Sequence, residues 1–225
     1  MGRDGSAGLK DFPGEIIREF EAGGWQYHGR VTIWKDPVTE MQRTKNHGLL
    51  HKQLCKDSAA SRMGMADYLI AFRKWDGKEF DKPVHGPNKE IRFTDYIGDE
   101  GPQNARNDRD FSIQVWQRYA SPVWFDIKQQ RVLQGSKNAT CEEDEKHICP
   151  LQLDVIERSI HLWSNRGDVV FSPFAGIGSE GYCAVNMGRK FTGIELKESY
   201  WKQAASNLKQ AENAKSQEML FSEAV

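Results

Sequence analysis

The segment from residue 168 to residue 195 constrains the fold of this 225-residue chain more than any other. Its pattern predicts a strand over residues 168–171, a glycine-bearing turn over residues 173–179 and a helix over residues 180–187. A second strand follows and ends at Glu195. This arrangement is typical of sites for cofactors that carry a ribose, because glycine allows close approach of the backbone and a carboxylate accepts hydrogen bonds from ribose hydroxyls. The segment therefore predicts an α/β fold with a cofactor at the turn.

The same turn contains a literal G-x-G-x-x-G, formed by Gly176, Gly178 and Gly181. A nicotinamide or flavin dinucleotide is therefore an alternative ligand. A dinucleotide fold needs a second mononucleotide half after the first. Few residues follow Glu195, and most of them have the pattern of one helix and a tail. An NAD-dependent oxidoreductase is thus the weaker alternative.

The residues around the turn carry a resemblance to a known family. SPFAGIGSEG, which begins at Ser172, resembles motif I of the amino-group DNA methyltransferases, usually D-P-F-x-G-x-G-T. GIEL at residues 193–196 is similar to motif II of that family, and HICPLQ at residues 147–152 to its motif X, usually H-P-T-x-K-P. The order X, I, II is that of the β subclass. The chain thus resembles the C-terminal portion of a β-class enzyme of phage or bacterial type, which methylates adenine N6 or cytosine N4 in DNA.

The resemblance implies a fold and a cofactor site. The implied fold is α/β, a Rossmann-like sheet of the S-adenosylmethionine-dependent methyltransferases, mostly parallel, incomplete, and with a polar inserted segment. Glu195 would bind the ribose, Phe174 would pack near the adenine or the methionine tail, and the glycines at 176 and 178 would let the backbone approach the cofactor. Ser172 stands where the family has Asp, so it can hydrogen-bond the methionine amino group without neutralising its charge. The implied cofactor-binding residues are His147, Pro150, Ser172, Pro173, Phe174, Ala175, Gly176, Gly178, Ser179 and Glu195.

The family holds the amino group of the target base with a tetrapeptide of the form (D/N/S)-P-P-(Y/F/W). The nearest match is SPVW, which makes Ser121, Pro122 and Trp124 the candidate catalytic residues. Val123 departs from the pattern, and the segment lies unusually close to motif X. A second chain that supplies this motif is therefore an expected partner. The alternative is a non-catalytic or split-enzyme fragment that binds cofactor and DNA.

Any binding to double-stranded DNA must depend on a local patch, because the net charge of the chain is -1. Residues 30–74 contain nine Lys or Arg and four Asp or Glu, which fits phosphate contacts, although an ordinary solvated face is the plainer interpretation. An aromatic residue near the target base can stack on a flipped nucleotide. The predicted DNA-binding residues are Trp34, Lys35, Arg43, Lys45, Lys52 and Arg62.

The rest of the chain follows the periodicity of helices and strands. The further predicted elements are helices over residues 13–22, 151–163 and 198–211, strands over residues 25–34 and 65–73, and a long loop over residues 35–65 with one helix near residues 49–55. We predict four parts: methyltransferase sheet and DNA-facing loop over 11–74, an inserted loop-rich segment with a possible target-recognition role over 75–146, the cofactor-binding part over 147–212, and a tail over 213–225.

No apolar run is long enough to span a membrane, and the N-terminus has no apolar signal-peptide core. The four scattered cysteines predict reduced thiols and a cytoplasmic protein; they are Cys55, Cys141, Cys149 and Cys183. Cys141, His147 and Cys149 lack a fourth ligand at a usual spacing, so we expect no metal site.

Overall fold

The structure is a computed structural model that describes residues 10–61, 63–74, 93–133 and 151–222. Its contacts divide the chain into two compact units. The first unit comprises Met1–Lys89 and Ala120–Phe125, and the second comprises Glu90–Tyr119 and Asp126–Val225. Each unit has its own sheet.

The sheet of the first unit has three strands in the order β2, β1, β3. Helix α1 (Phe12–Ala22) precedes β1 (Trp25–Ile33), which pairs antiparallel with β2 (Asp67–Lys74) and parallel with β3 (Val123–Trp124). Asp11 caps α1, since its side chain accepts the Gly14 N–H. The predicted helix and both predicted long strands are thus present.

Two helices replace most of the predicted loop between β1 and β2. They are α2 (Pro37–Thr44) and α3 (His51–Lys56). Helix α3 overlaps the predicted helix, whereas α2 was not predicted. Asp36 starts α2, because its carboxylate accepts the Thr39 N–H at 2.7 Å and Pro37 suits the first helical position. These hydrogen bonds hold the pKa of the Asp36 carboxyl below its usual value.

The second unit carries the predicted strand–turn–helix–strand segment. Strand β4 (Val169–Ser172) pairs parallel with β5 (Lys190–Gly193), and helix α6 (Ser179–Asn186) connects them. Helix α5 (Leu153–Trp163) precedes β4. Their shared core consists of Leu153, Ile156, Ile160, Cys183 and Ala184.

Helix α7 (Glu198–Ser222) follows β5 and packs against α6. It extends well beyond the predicted end at residue 211. The predicted elements around the turn agree with the observed ones to within about two residues, which is the usual uncertainty of helix ends.

The predicted inserted segment over residues 75–146 is not loop-rich throughout. Its described part contains helix α4 (Asp108–Tyr119) and strand β3, and it forms a core from Phe93, Ile97, Val115 and Tyr119. The buried Arg158 guanidinium bonds Asp126 at 3.1 Å and the Ile97 carbonyl. The compact units also divide this segment differently from the predicted boundaries. Residues 75–92 and 134–150 lie outside the described part of the chain.

The face of β4 that carries Val169 and Phe171 is exposed, with 61% and 56% of these side chains accessible. A strand buried on both faces is the rule in parallel sheets. Within the described residues, no helix is both long enough and apolar enough to cross a membrane.

Candidate cofactor site and nucleic-acid surface

The turn between β4 and α6 is fixed to the end of β5 by backbone hydrogen bonds. The Ile194 N–H donates to the Ser172 carbonyl at 2.9 Å, and the Ala175 N–H donates to the Ile194 carbonyl at 2.9 Å. The Gly178 N–H closes the turn on the Ala175 carbonyl at 2.7 Å. The parallel ladder therefore continues past the strand ends and brings residues 172–178 alongside residues 193–195.

Glu195 closes this arrangement from the tip of β5. Its Oε2 accepts the Gly176 N–H at 2.8 Å, and its Oε1 accepts the Lys197 N–H at 2.9 Å. The residue is half-buried. An ionised carboxylate offers about four acceptor positions, so two remain for hydroxyl donors. This geometry fits the predicted ribose contact.

The two glycines of the turn have different roles. Gly176 has a φ of +53°, and a Cβ added there would have no atom within 4 Å, which leaves space for a ligand beside its backbone. Gly178 also has a positive φ, of +85°, but a Cβ there would lie 2.9 Å from Leu208 Cδ1 and 3.0 Å from Ala204 Cβ. Gly178 therefore allows α7 to pack against the turn. The predicted close approach to the cofactor fits Gly176 and not Gly178.

Several large apolar side chains of the turn and of the end of β5 are exposed. Phe174 is 86% exposed and Leu196 is 98% exposed, and Ile194 is more than half exposed. Pro173 is exposed beside Phe174, whereas Ala175 and Ser179 are buried. Exposed apolar side chains that form a contiguous patch can mark a ligand-binding groove. Together with the Glu195 carboxylate they suit a ribose that carries a flat, apolar base.

A residue of α7 that the sequence did not indicate binds the backbone of the turn. Asn207 on α7 is buried, and its Nδ2 donates to the Ile177 carbonyl at 2.8 Å. Gln203 Nε2 in turn donates to Asn207 Oδ1 at 2.9 Å. No motif marks Asn207, since its partner lies 30 residues earlier in the chain.

Two predicted cofactor residues, His147 and Pro150, lie outside the described part of the chain. The same holds for Cys141 and Cys149. Among the described residues, no group of three or more His, Cys, Asp or Glu side chains is placed to hold a metal ion.

The SPVW tetrapeptide forms β3 and its entry. The Pro122 carbonyl accepts the Thr32 N–H at 2.9 Å, and the Trp124 side chain is 1% exposed. Ser121 Oγ donates to the Val123 carbonyl at 2.9 Å. The proline carbonyl and the serine hydroxyl are thus engaged in hydrogen bonds within the first unit, and the Trp124 side chain is buried. These contacts give the tetrapeptide a structural role. The assignment of Ser121, Pro122 and Trp124 to catalysis stays a prediction.

The predicted DNA-binding residues are placed unequally in the first unit. Lys45 and Lys52 are exposed, and 42% of the Trp34 side chain is accessible. Lys35 is only 8% exposed, and its Nζ lies 2.6 Å from Asp67 Oδ2 and 3.8 Å from Glu40 Oε2. It therefore forms an internal ion pair instead of presenting a free charge.

The side chain of Arg43 and the whole of Arg62 lie outside what the structure describes. Arg30 is a further exposed cation of the first unit, and its guanidinium lies 4.8 Å from the centre of the Tyr68 ring. It was not among the predicted DNA-binding residues. Lys56 is exposed at the end of α3. Three exposed lysines of the first unit, Lys45, Lys52 and Lys56, thus lie on α3 and at the C-terminal end of α2.

A family model described as DNA methylase matches residues 14–206 of the chain. DNA adenine methyltransferase YhdJ of Escherichia coli is 36% identical over 78 residues, which cover 35% of this chain and 26% of that protein. Type II methyltransferase M1.MboII of Moraxella bovis is 39% identical over 66 residues, covering 29% of this chain and 25% of that protein. The matched stretch thus spans about a quarter of the length of these curated relatives.

A solved structure supplies the comparison of folds. TTHA0409 of Thermus thermophilus, a putative DNA modification methylase complexed with S-adenosyl-L-methionine, matches with a TM-score of 0.57 and 19% identity. The match covers 93% of this chain and 64% of that one. It confirms the predicted α/β fold of the Rossmann-like methyltransferase type.

Proposed function

The chain belongs to the DNA methylase family of the N6-adenine and N4-cytosine type, and on that premise we propose that it binds S-adenosylmethionine and double-stranded DNA for methyl transfer to an exocyclic amino group. The observation that carries the proposal is the Glu195 carboxylate held 2.8 Å from the Gly176 amide. This bond closes the turn at the ends of β4 and β5 while leaving acceptor positions for a ribose.

The residues that would hold the cofactor lie in the second unit. Glu195 would accept the ribose hydroxyls, Gly176 would let the backbone lie close to the ligand, and Phe174 with Leu196 would cover the adenine. When bound, S-adenosylmethionine supplies an electrophilic methyl group on a sulfonium. The chain would contribute binding and orientation, which lower a barrier substantially when the reacting atoms are held in line. No covalent intermediate with the protein is needed for such a direct displacement.

The first unit would provide the DNA contacts. Lys45 and Lys52 support this assignment, because both are exposed and neither appears in an ion pair within the described residues. Exposed lysines bind phosphates without reading the sequence. Trp34 is exposed enough to stack on a base. Lys35 is not part of the proposed surface.

We also propose that a further segment or a partner chain supplies the motif that holds the amino group. The SPVW groups are occupied by internal contacts, and within the described residues no other tetrapeptide of that form occurs. The exposed apolar face of β4 supports the proposal, since a strand of a parallel sheet is normally covered on both faces. The second candidate function is that of a fragment that binds cofactor and DNA without catalysis. It is favoured by the internal hydrogen bonds of the SPVW tetrapeptide and by the burial of its tryptophan.

The family membership does not favour an NAD-dependent oxidoreductase. We propose a cytoplasmic location, which agrees with the unpaired state of Cys55 and Cys183. Neither cysteine is needed for the proposed function.

The experiment is methyl transfer from radiolabelled S-adenosylmethionine to mixed-sequence DNA, with cofactor binding measured on the same preparation. Binding without incorporation would support a chain that needs its partner segment. Incorporation by this chain alone would contradict the need for a partner. The SPVW tetrapeptide would then again be the candidate catalytic motif. Absence of both would contradict the proposed function.

A further inference from the structure

The second unit has a groove at the edge of its sheet where β5 begins. The groove has a volume of about 550 Å³ and is lined by residues of β5, α6 and α7. Lys190, the first residue of β5, lines it together with Arg189 and Lys215. The cofactor turn lies at the other ends of β4 and β5, which are four residues long. At about 3.3 Å per residue, roughly 10 Å of strand separates the groove from that turn.

Four cations meet at this groove, and together they define what we call the basic groove: Arg166, Arg189, Lys190 and Lys215. Arg166 and Lys215 approach the same point of the backbone. A Cβ added at Gly188 would lie 3.4 Å from Lys215 Nζ and 3.8 Å from Arg166 Cγ. The fold thus brings together cations from the segment before β4, from the start of β5 and from α7.

Arg189 is fixed in the basic groove by neutral partners. Its Nε donates to Ser164 Oγ at 3.1 Å, and its Nη2 donates to the Ser164 carbonyl at 2.8 Å. Its Nη1 donates to the Met187 carbonyl at 2.6 Å. A guanidinium has five N–H donors, so two remain for a ligand. None of these partners carries a charge that would balance the guanidinium.

The cations of the basic groove are only partly balanced by carboxylates. Burial lowers the pKa of the Arg189 guanidinium, and the charge of Arg166 lowers this pKa further, whereas Asp168 raises it. Asp168 is exposed and accepts the Asn165 N–H at 2.7 Å. Glu212 lines the groove and is also exposed. Among the residues that the structure describes there, four cations and two carboxylates leave an excess of two positive charges.

This charge excess favours an anionic ligand. Arg166 and Lys190 are exposed, and neither forms an ion pair with a carboxylate in the described part of the chain. Lys215 Nζ donates to the neutral Val185 carbonyl at 3.4 Å. Arginine presents a planar fork that matches phosphate oxygens, and lysine binds phosphate as a point charge. Since the whole chain has a net charge of -1, contact with DNA depends on local patches of this kind.

We propose that the basic groove binds backbone phosphates of DNA, at a surface separate from the site of methyl transfer. This inference goes beyond the proposed function, which assigns the DNA contacts to the first unit. A phosphate in the groove would accept hydrogen bonds from the two remaining donors of Arg189 and from Lys190, while Arg166 and Lys215 supply further positive charge. Such contacts hold a duplex without reading its sequence.

The test measures the affinity of the full chain for a mixed-sequence duplex at several salt concentrations. The double variant Arg166→Gln, Lys190→Gln should reduce the salt slope by about 1.8, because each phosphate contact contributes about 0.9. At about 0.1 M salt, its affinity should fall roughly 10- to 50-fold. Lys190→Arg keeps the charge and should retain the slope. Lys202→Gln is the control on α7, since its Nζ already lies 2.6 Å from Glu198 Oε1, and should leave the slope unchanged.

Two further measurements separate a phosphate contact from a structural effect. The double variant should bind S-adenosylmethionine with unchanged affinity, because the basic groove lies away from the cofactor turn. Its melting temperature without ligand should not fall, because the substitutions remove like charges that repel one another. A lower melting temperature together with weaker cofactor binding would attribute the loss of DNA affinity to the fold and would overturn the proposal.

An acidic protein segment is the alternative occupant, and an oligoglutamate peptide serves as its probe. The unaltered chain and the double variant should bind this peptide with equal affinity. If the double variant loses affinity for the peptide and keeps its affinity for DNA, the basic groove binds a protein segment and the proposal fails.

Failure of this inference can be distinguished from failure of the proposed function. An unchanged salt slope in the double variant, with a reduced slope in Lys52→Gln, would overturn the inference while the proposed function stands. A reduced slope in a chain that binds no S-adenosylmethionine would support the inference and contradict the proposed function. A chain that binds no DNA would overturn both.

Discussion

Glu195 and Gly176 are joined by a carboxylate–amide hydrogen bond of 2.8 Å, although 19 residues separate them in the chain. The bond connects the tip of β5 to the turn after β4. It fixes the backbone amide of Gly176, where an added Cβ would have no atom within 4 Å. Binding of a ribose would therefore add to an arrangement that already exists, and such preorganisation limits the entropy lost on binding.

Substitution of the two turn glycines should separate ligand binding from packing. Gly178→Ala should destabilise the second unit by roughly 1–3 kcal/mol, because the new Cβ would meet Leu208 and Ala204 on α7. Gly176→Ala should cost about 1 kcal/mol for its positive φ and should weaken cofactor binding, since the methyl group occupies the open space. Urea unfolding and ligand titration of both variants check this; a larger loss of stability in Gly176→Ala would contradict it.

Asn207→Ala should weaken cofactor binding without removing any ligand contact that we propose. The substitution leaves the buried Ile177 carbonyl without its donor, which costs about 1–3 kcal/mol. The freed turn should then bind the cofactor less tightly. Gln203→Ala, which removes only the bond to Asn207, is the control and should have a smaller effect on both urea unfolding and ligand titration. Equal effects of the two substitutions would refute this role of Asn207.

The sequence predicted the turn and its flanking elements because their signals are local. Hydrophobic runs, glycines and an acid at the strand tip all lie between residues 168 and 195. The packing role of Gly178 is different, since it depends on Leu208 and Ala204, which come from a helix that lies later in the chain. The role of Asn207 was not predicted either, because its partner, the Ile177 carbonyl, lies 30 residues earlier in the chain.

Lys35 shows the corresponding limit for charges. Its place in a basic stretch predicted a phosphate contact, but the formation of α2 and β2 brings Glu40 and Asp67 to its ammonium group. Ion pairing of this kind depends on tertiary structure and cannot be derived from the count of basic residues. The count of basic residues therefore cannot say which of them presents a free charge at the surface.

Lys52 and Lys35 should respond oppositely to neutral substitution. Lys52→Gln should lower DNA affinity and reduce the salt slope of binding by about 0.9, the value for one phosphate contact. Lys35→Gln should leave the salt slope unchanged and destabilise the first unit by roughly 1 kcal/mol, because it removes the 2.6 Å ion pair with the partly exposed Asp67 carboxylate. The measurements are DNA binding at several salt concentrations and urea unfolding of both variants. A reduced salt slope in Lys35→Gln would contradict the internal role of Lys35.

His161 should make the second unit less stable in mild acid. Burial lowers the pKa of its imidazole, Arg189 lowers it further, and Asp95 and Glu157 raise it against this trend. Since the folded pKa lies below the unfolded value of about 6.5, the unfolded chain binds more protons as pH falls below that value, and stability is lost.

His161→Gln should therefore flatten the fall in unfolding free energy between about pH 7 and pH 5. Carboxylates titrate alike in both proteins, so the difference between them isolates the imidazole. His47→Gln, at an exposed histidine of the first unit, serves as the control for a substitution of the same type away from the second unit. A profile of His161→Gln that parallels that of the unaltered chain would show that the imidazole does not titrate in this way.

The most direct test is calorimetric titration of the full chain and of Glu195→Gln with S-adenosylmethionine, with NAD as the competing ligand. We predict saturable one-site binding of S-adenosylmethionine, no binding of NAD, and an affinity about 10- to 100-fold weaker in Glu195→Gln, as expected for loss of charge-assisted hydrogen bonds. Binding of NAD in place of S-adenosylmethionine, or an undiminished affinity in Glu195→Gln, would contradict the assignment of this turn as the cofactor site.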